Sequence, residues 1–183
     1  MTLEEIKKYS NVIHTKSNTI LDILNQIVDW ARSELKHLPT IKKEINLYQL
    51  ADQTLKVFSE TAANKEIVIK NLIPENTRLI SDETILSAIL RNLINNALKF
   101  SQTNSTILIS FTTDSTFRNI LTVEDFGIGM SEEIITNLFQ LNHFQSRDGT
   151  NKEKGTGLGL LICKQFCDSI NCELKIFSEI NNG

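Results

Sequence analysis

Lys154-Gly155-Thr156-Gly157-Leu158-Gly159-Leu160 runs into Leu161-Ile162-Cys163 and reads as a glycine-rich turn opening a helix to about Ser169. Such a turn sets backbone N–H groups and the positive end of the helix dipole against an anion. Its spacing alone would fit a dinucleotide fingerprint, but that fingerprint needs a preceding βαβ unit and an acid further on. Neither is in place, and no Gly-Lys-Ser/Thr follows as a P-loop requires. Upstream stand two alternating segments, Thr106–Thr112 and Phe117–Glu124, which fit an antiparallel pair. Strands and helices interleave without regular βαβ order. The expected fold is therefore an α/β two-layer sandwich: one mixed sheet, helices on one face and a long N-terminal helix besides.

Working outward, Asp125-Phe126-Gly127-Ile128-Gly129 comes directly after the second strand of the pair. A carboxylate at a strand end can accept from the exocyclic amine of adenine, and it rejects guanine, which presents a carbonyl there. Gly127 and Gly129 let backbone approach a ligand closely. An Asp-Phe-Gly turn ending a hairpin reads equally well from these residues alone, and the other protein-kinase motifs are missing. Further upstream, Ser81-Asp82 starts a helix with Ser81 as N-cap. Ile85, Leu86, Ile89, Leu90, Leu93, Ile94, Ala97 and Leu98 follow at helical spacing. Asn92, Asn96 and Lys99 fall on nearly one face of it. An amide oxygen is a neutral hard donor for Mg²⁺, and Lys99 supplies a cation for phosphate oxygens. For this helix alone, a polar surface with two asparagines is the plainer reading. Together, the ordered set is what an ATP–Mg²⁺ pocket needs.

Between the two loops, residues 140–155 are polar and irregular, as a flap would be, with Leu138, Phe139 and Phe144 as hinge or core residues. Glu44–Leu47 reads as a short strand and Tyr48–Asn64 as a helix. Glu66–Ile73 and Thr77–Ser81 read as strands around Pro74-Glu75-Asn76, and Glu173–Ser178 as a last strand. The leading 38 residues form a separate segment. Ile6, Ile13, Ile20 and Ile27 recur every seven residues in a helical pattern, a stripe that wants a partner helix. Leu38-Pro39-Thr40 breaks it, leaving 39–183 as the main domain.

Composition narrows the class. The chain has 183 residues and a net charge of 19 − 22 = −3, which gives no field for nucleic acid or anionic lipid. No apolar run is long enough to cross a bilayer, and Met1-Thr-Leu-Glu-Glu has no signal-peptide pattern. The three cysteines, Cys163, Cys167 and Cys172, lack the partners of a zinc site and read as small buried thiols of a reducing compartment. A cytoplasmic location is expected, or the cytoplasmic part of a membrane-anchored sensor, with membrane contact only through other regions.

Asn92-Leu-Ile-Asn-Asn96-Ala-Leu-Lys99-Phe100, Asp125-Phe-Gly-Ile-Gly129-Met, Leu138-Phe139…Phe144 and Lys154-Gly-Thr-Gly-Leu-Gly-Leu160 resemble, in order and spacing, the N, G1, F and G2 boxes of sensor histidine kinases. Each box is weak alone; the four in order are specific. The resemblance implies the Bergerat ATP-binding sandwich shared with gyrase and heat-shock chaperones. By that likeness Asn96 would be the Mg²⁺ ligand with Asn92 assisting, and Lys99 would contact phosphate. Phe100, Ile128, Gly127 and Gly129 would line the pocket in which Asp125 reads adenine. Lys154, Gly155, Thr156, Gly157, Leu158 and Gly159 would form the phosphate turn. Hydrolysing members of the superfamily carry a Glu where Asn92 stands. An Asn cannot activate water as a base, which favours keeping ATP for transfer to a side chain.

The same resemblance implies partners: ATP or ADP, a response-regulator receiver domain, and a second copy of the chain through the N-terminal helix. The family's phosphoacceptor histidine is followed by an acid and then usually a proline. His14, followed by Thr15-Lys16-Ser17, has neither and reads as a solvent-facing helical histidine. Residues 1–38 instead resemble the second helix of the dimerisation hairpin, and the chain reads as a piece of a larger kinase. Two other readings are a non-catalytic docking module switched by nucleotide and a serine kinase of the anti-sigma type. The intact set at 92, 96, 99 and 125 opposes the first, and Asn92 in place of Glu opposes the second.

Overall fold

The computed structural model describes residues 40–139, 149–150 and 157–183, with positions 2, 5–6, 9–10, 13, 17, 20, 24 and 28 of the leading segment. Ile27, His14, Phe144, most of the expected flap, Lys154, Gly155 and Thr156 lie outside the described residues. The chain divides into two compact units, Met1–Leu38 and Pro39–Gly183.

In the first unit the described residues from Glu5 to Val28 are helical. A reciprocal capping box starts the helix: Glu5 N donates to Thr2 Oγ1 (3.2 Å), and Thr2 N donates to a Glu5 carboxylate oxygen (2.8 Å). Ile6, Ile13 and Ile20 are all solvent-exposed, as are Tyr9, Leu24 and Val28.

The second unit begins with strand β1 (Lys42–Asn46), whose last residue caps helix α1 (Leu47–Asn64) by accepting from Gln49 N. α1 ends in a Schellman turn. Glu66 takes φ 56°, Ile67 N donates to Ala62 O (2.9 Å) and Glu66 N to Ala63 O (3.0 Å). Strands β2 (Val68–Asn71) and β3 (Arg78–Asp82) lead to helix α2 (Glu83–Phe100), and the hairpin β4 (Thr106–Thr113) and β5 (Asn119–Asp125) follows. A short helix α3 (Glu132–Asn137) and helix α4 (Gly159–Ser169) complete the elements. This is the expected mixture of strands and helices. The N-cap of α2 is Asp82 rather than Ser81. Both residues pair in β3, Ser81 with Lys43 and Asp82 with Lys42, but Asp82 stands directly before Glu83, the first helical residue, and its Oδ1 accepts from Thr84 N and Ile85 N.

Hydrogen bonding splits the strands between two sheets where one was expected: β1 with β3, and β2-β4-β5. The larger sheet is mixed, with β2 parallel and β5 antiparallel to β4. The split falls at Pro74. Leu72 N still donates to Ile109 O, but proline has no N–H to continue the ladder, and Thr77 N closes the turn onto Pro74 O. β3 then pairs with β1 instead.

One core unites both sheets with α1 and α2, built from Ile45, Leu47, Leu50, Leu90, Ile94, Leu98, Ile107 and Ile109 among others. A second cluster joins the opposite side of α2 (Ala88, Ile89) to α4 (Ile162, Cys163, Phe166, Cys167). Cys163 and Cys167 are buried as expected, and burial pushes the Cys167 thiol up to about 11. Cys172 is exposed, because it follows the end of α4 instead of lying on its packed face. The expected strand Glu173–Ser178 keeps its alternation, with Leu174 and Ile176 half-buried and Phe177 exposed, yet it pairs with no described strand. Side-chain alternation sets which residues face inward; a strand also needs a neighbour to hydrogen-bond, and none of the described strands offers one here. Beyond it the chain closes in a tight turn, with Glu179 N donating to Gly183 O.

Candidate functional site

Helix α2 continues its α4-facing stripe, Ile85, Ala88 and Ile89, into Asn92 and Asn96 by steps of three and four. The apolar contact ends where α4 begins, and the first residue of α4 is Gly159. A Cβ on Gly159 would lie 3.1 Å from Asn92 Oδ1 and 3.7 Å from Asn96 Nδ2. Glycine thus brings the start of α4 against both amides. Asn92 is buried and oriented from within its own helix, its Nδ2 donating to Ala88 O (3.1 Å). Among the described residues no side chain caps the amino end of α4, whose N-cap position is held by Leu158. Gly157, just outside, takes φ 74°. A helix amino end without a side-chain cap, facing two amides, is suited to phosphate oxygens and a hard cation.

The carboxyl end of α2 is built differently. The last four carbonyls of a helix have no partner within it, and here each finds one. Ser101 N donates to Ala97 O (2.9 Å), Thr150 N to Lys99 O (3.0 Å) and Ile128 N to Phe100 O (3.2 Å). Lys65 Nζ donates to Leu98 O (2.7 Å) and to Lys99 O (3.2 Å). The Lys99 ammonium lies 4.7 Å from the centroid of the half-buried Phe100 ring.

Asp125 ends β5 half-buried, and its Oδ1 accepts from Gly127 N (3.0 Å). Burial raises its pKa above the ordinary carboxylate value, and the Gly127 hydrogen bond only partly offsets this. A Cβ on Gly127 would collide with the Phe100 carbonyl, so glycine is what lets the Asp125 loop pack on the end of α2. Gly129 has φ 63°, and a Cβ there would run into the Glu179 carbonyl. Ile128, half-buried, donates inward to Phe100 and accepts from Asn181 N (2.9 Å).

The fold therefore brings Asn92 and Asn96 to the start of α4, and Phe100 to Gly127 and Ile128 beside Asp125. Both pairings run along one helix, which places Lys99 towards the Asp125 end. Two contributors escaped the sequence reading. Lys65-Glu66 looks like an exposed charged turn, and Thr150 looks like one more polar loop residue. The only signal for Lys65 is its place just beyond the end of α1, where a residue can be swung inward by a Schellman turn.

Mg²⁺ prefers six oxygens in near-octahedral geometry and takes few of them from protein when phosphates are present. Two neutral amides fit that role, and the described residues contain no cluster of three or more His, Cys, Asp or Glu that could hold a metal by itself. Among the described residues no helix is long and apolar enough to cross a membrane.

The fold and this site define an ATPase-type sandwich. The chain belongs to the family described as histidine kinase-, DNA gyrase B- and HSP90-like ATPases, which matches residues 81–183. Within it the chain is a histidine-kinase-like ATPase domain of the sensor-kinase kind. It is 31% identical to the circadian input-output histidine kinase CikA of Synechococcus elongatus, over 98% of this chain and 24% of that protein. It is 29% identical to hybrid signal transduction histidine kinase B of Dictyostelium discoideum, over 97% of this chain and 9% of that protein. The chain thus spans at most a quarter of the length of these relatives. The catalytic domain of histidine kinase ThkA superposes with a TM-score of 0.61 at 27% identity, covering 71% of this chain and 82% of that one. Full-length ShkA in complex with AMPPNP shares the fold, with a TM-score of 0.68 at 22% identity over 92% of this chain and 35% of that one.

Proposed function

We propose that this chain binds ATP with Mg²⁺ and donates the γ-phosphoryl group to a histidine on another helix, for relay to a response-regulator aspartate. The observation that carries the reading is the junction of Gly159 with Asn92 and Asn96, on the helix whose other end carries the Asp125 loop. One end of α2 is chemically suited to phosphate and metal, and the other to adenine.

In this reading Asp125 accepts from the adenine amine while Gly127, Ile128 and Gly129 shape the ring's slot. Lys99 leaves the Phe100 ring to meet phosphate oxygens, and Asn96 with Asn92 would hold Mg²⁺. The bound cation supplies charge neutralisation as the phosphoryl group departs. By the resemblance, Lys154, Gly155 and Thr156 would join Gly157, Leu158 and Gly159 in contacting phosphate. Asn92, spent on Ala88 O and lacking a basic atom, cannot draw a proton from water, so transfer depends on positioning an acceptor side chain. Residues 1–38 act as the second helix of a dimerisation hairpin, their exposed Ile stripe meeting partner helices in a homodimer. The acceptor histidine belongs to the hairpin's other helix, so His14 stays unmodified.

The test is calorimetric titration of ADP and a non-hydrolysable ATP analogue with and without Mg²⁺, on the wild type and Asp125→Asn. Magnesium-dependent binding that is lost in a folded Asp125→Asn supports the reading; a folded wild type that binds neither nucleotide sinks it. An acid-labile label on the chain alone that disappears in His14→Ala would overturn the assignment of the leading helix.

A further inference from the structure

Lysine is almost never fully buried without partners, yet Lys65 is 5% exposed. Its backbone N–H closes the end of α1 on Thr61 O and Ala62 O, and the left-handed Glu66 that follows turns the chain back on itself. The side chain crosses to the end of α2. There its Nζ donates to Leu98 O (2.7 Å), Lys99 O (3.2 Å) and Thr150 Oγ1 (2.9 Å). An ammonium has three N–H donors, and among the described residues three acceptors are in reach. It also places a positive charge where the α2 dipole is negative.

Thr150 completes the arrangement. Its hydroxyl accepts from Lys65 and donates to Ser101 O (2.8 Å), while its N–H donates to Lys99 O (3.0 Å). Three stretches distant in sequence thus converge on the last turn of α2: the end of α1, the Gly149–Thr150 pair, and Lys99 to Ser101. The same turn carries the Lys99 side chain and the Phe100 carbonyl that anchors Ile128.

We infer that Lys65 is a positioning residue of the nucleotide site. It clamps Thr150 onto the carboxyl end of α2 and thereby fixes where Lys99 and the Asp125 loop stand. This rests on the nucleotide reading above, but the clamp itself can be tested without ligand.

The variants are Thr150→Val, Thr150→Ser and Lys65→Met in the full chain, with the double variant Lys65→Met/Thr150→Val. Valine keeps the shape of threonine and loses the hydroxyl, whereas serine loses the methyl and keeps it. If Thr150 mattered only as packing, serine would be the worse replacement. The first readout is hydrogen exchange at the residue-150 amide without nucleotide. Exchange should rise about tenfold or more in Lys65→Met and Thr150→Val and stay near wild type in Thr150→Ser. The second is the Kd for ADP–Mg²⁺. It should weaken about tenfold in Thr150→Val and remain within about twofold in Thr150→Ser. Adding Lys65→Met to Thr150→Val should cost less affinity than Lys65→Met alone costs the wild type.

Unchanged exchange at residue 150 in both Lys65→Met and Thr150→Val overturns the clamp. Raised exchange with unchanged Kd overturns its role in positioning. Should Lys65→Met fail to fold, the valine–serine contrast decides alone. A folded wild type without affinity for ADP removes the nucleotide reading, and the exchange arm then decides the clamp by itself.

Discussion

Two helix ends meet the candidate site, and they are finished in opposite ways. At the carboxyl end of α2 every last-turn carbonyl is met by protein: Ser101 N–H, the Lys65 ammonium, Thr150 N–H and Ile128 N–H. At the amino end of α4 no described side chain provides a cap, and a glycine stands where a Cβ would press on Asn92. The saturated end is scaffold; the uncapped end is where a ligand has work left to do. Substitutions at the first should therefore disturb stability and binding together, and substitutions at the second should disturb binding alone.

The largest effect belongs to the scaffold end. Gly127→Ala drives a methyl group into the Phe100 carbonyl and to within 2.8 Å of Asp125 Oδ1. Urea denaturation should show a loss of about 3 kcal/mol, and nucleotide affinity should fall with it. A stable Gly127→Ala would break the comparison at once.

Asp125→Asn comes next and separates the two properties. Losing a charge-assisted hydrogen bond worth about 1.5–3 kcal/mol should weaken ADP binding roughly ten- to a hundredfold in calorimetry. Stability of the free protein should move the other way. The folded pKa of Asp125 is raised, so between the ordinary carboxylate value of 3.8 and that raised value the native state holds more protons than the unfolded state. Stability from this group therefore falls as pH rises through the window. At neutral pH Asn removes the buried charge and the melting temperature should rise; below pH 3.8 the gain should vanish. Equal melting curves at neutral pH would contradict the burial argument.

Gly159→Ala probes the uncapped end. Affinity for ADP–Mg²⁺ should drop about tenfold, with the midpoint of unfolding nearly unmoved because the helix preference of alanine over glycine, about 1 kcal/mol, offsets the 3.1 Å approach of its methyl group to Asn92 Oδ1. A large loss of stability would mean that this end is scaffold too. The smallest effect is at Glu66, whose φ of 56° is costly for any residue with a Cβ. Glu66→Gly should stabilise the protein by about 1 kcal/mol and leave ADP affinity unchanged.

Much of this was legible in the sequence because local chemistry recorded it. The alternation of β4 and β5, the spacing of Ile85 to Leu98 and the glycines after Asp125 and before Leu160 each show one dominant periodicity or backbone need. The start of α2 was missed by one residue because Ser81 and Asp82 both cap helices well, and only the strand ladder, which runs on to Asp82 opposite Lys42, decides between them. The two-sheet hydrogen bonding and the unpaired Glu173–Ser178 stretch were illegible because ladder formation depends on which edges meet in space. Lys65 and Thr150 were illegible for the same reason. Their meaning comes from the carbonyls of Leu98, Lys99 and Ser101, which lie far off in sequence and carry no side-chain signature.

The hydrogen bond from Ile128 N–H to the Phe100 carbonyl ties the Asp125 loop to the same turn that presents Lys99. Occupants of the two ends of the site thus bias a common element, and linkage makes any such effect mutual. Whatever factor an adenosine moiety adds to the capture of an oligophosphate, the oligophosphate must return to the capture of adenosine. A nucleotide would then be held more firmly than its separated halves suggest, and ligands lacking either half would forfeit more than the contacts they delete.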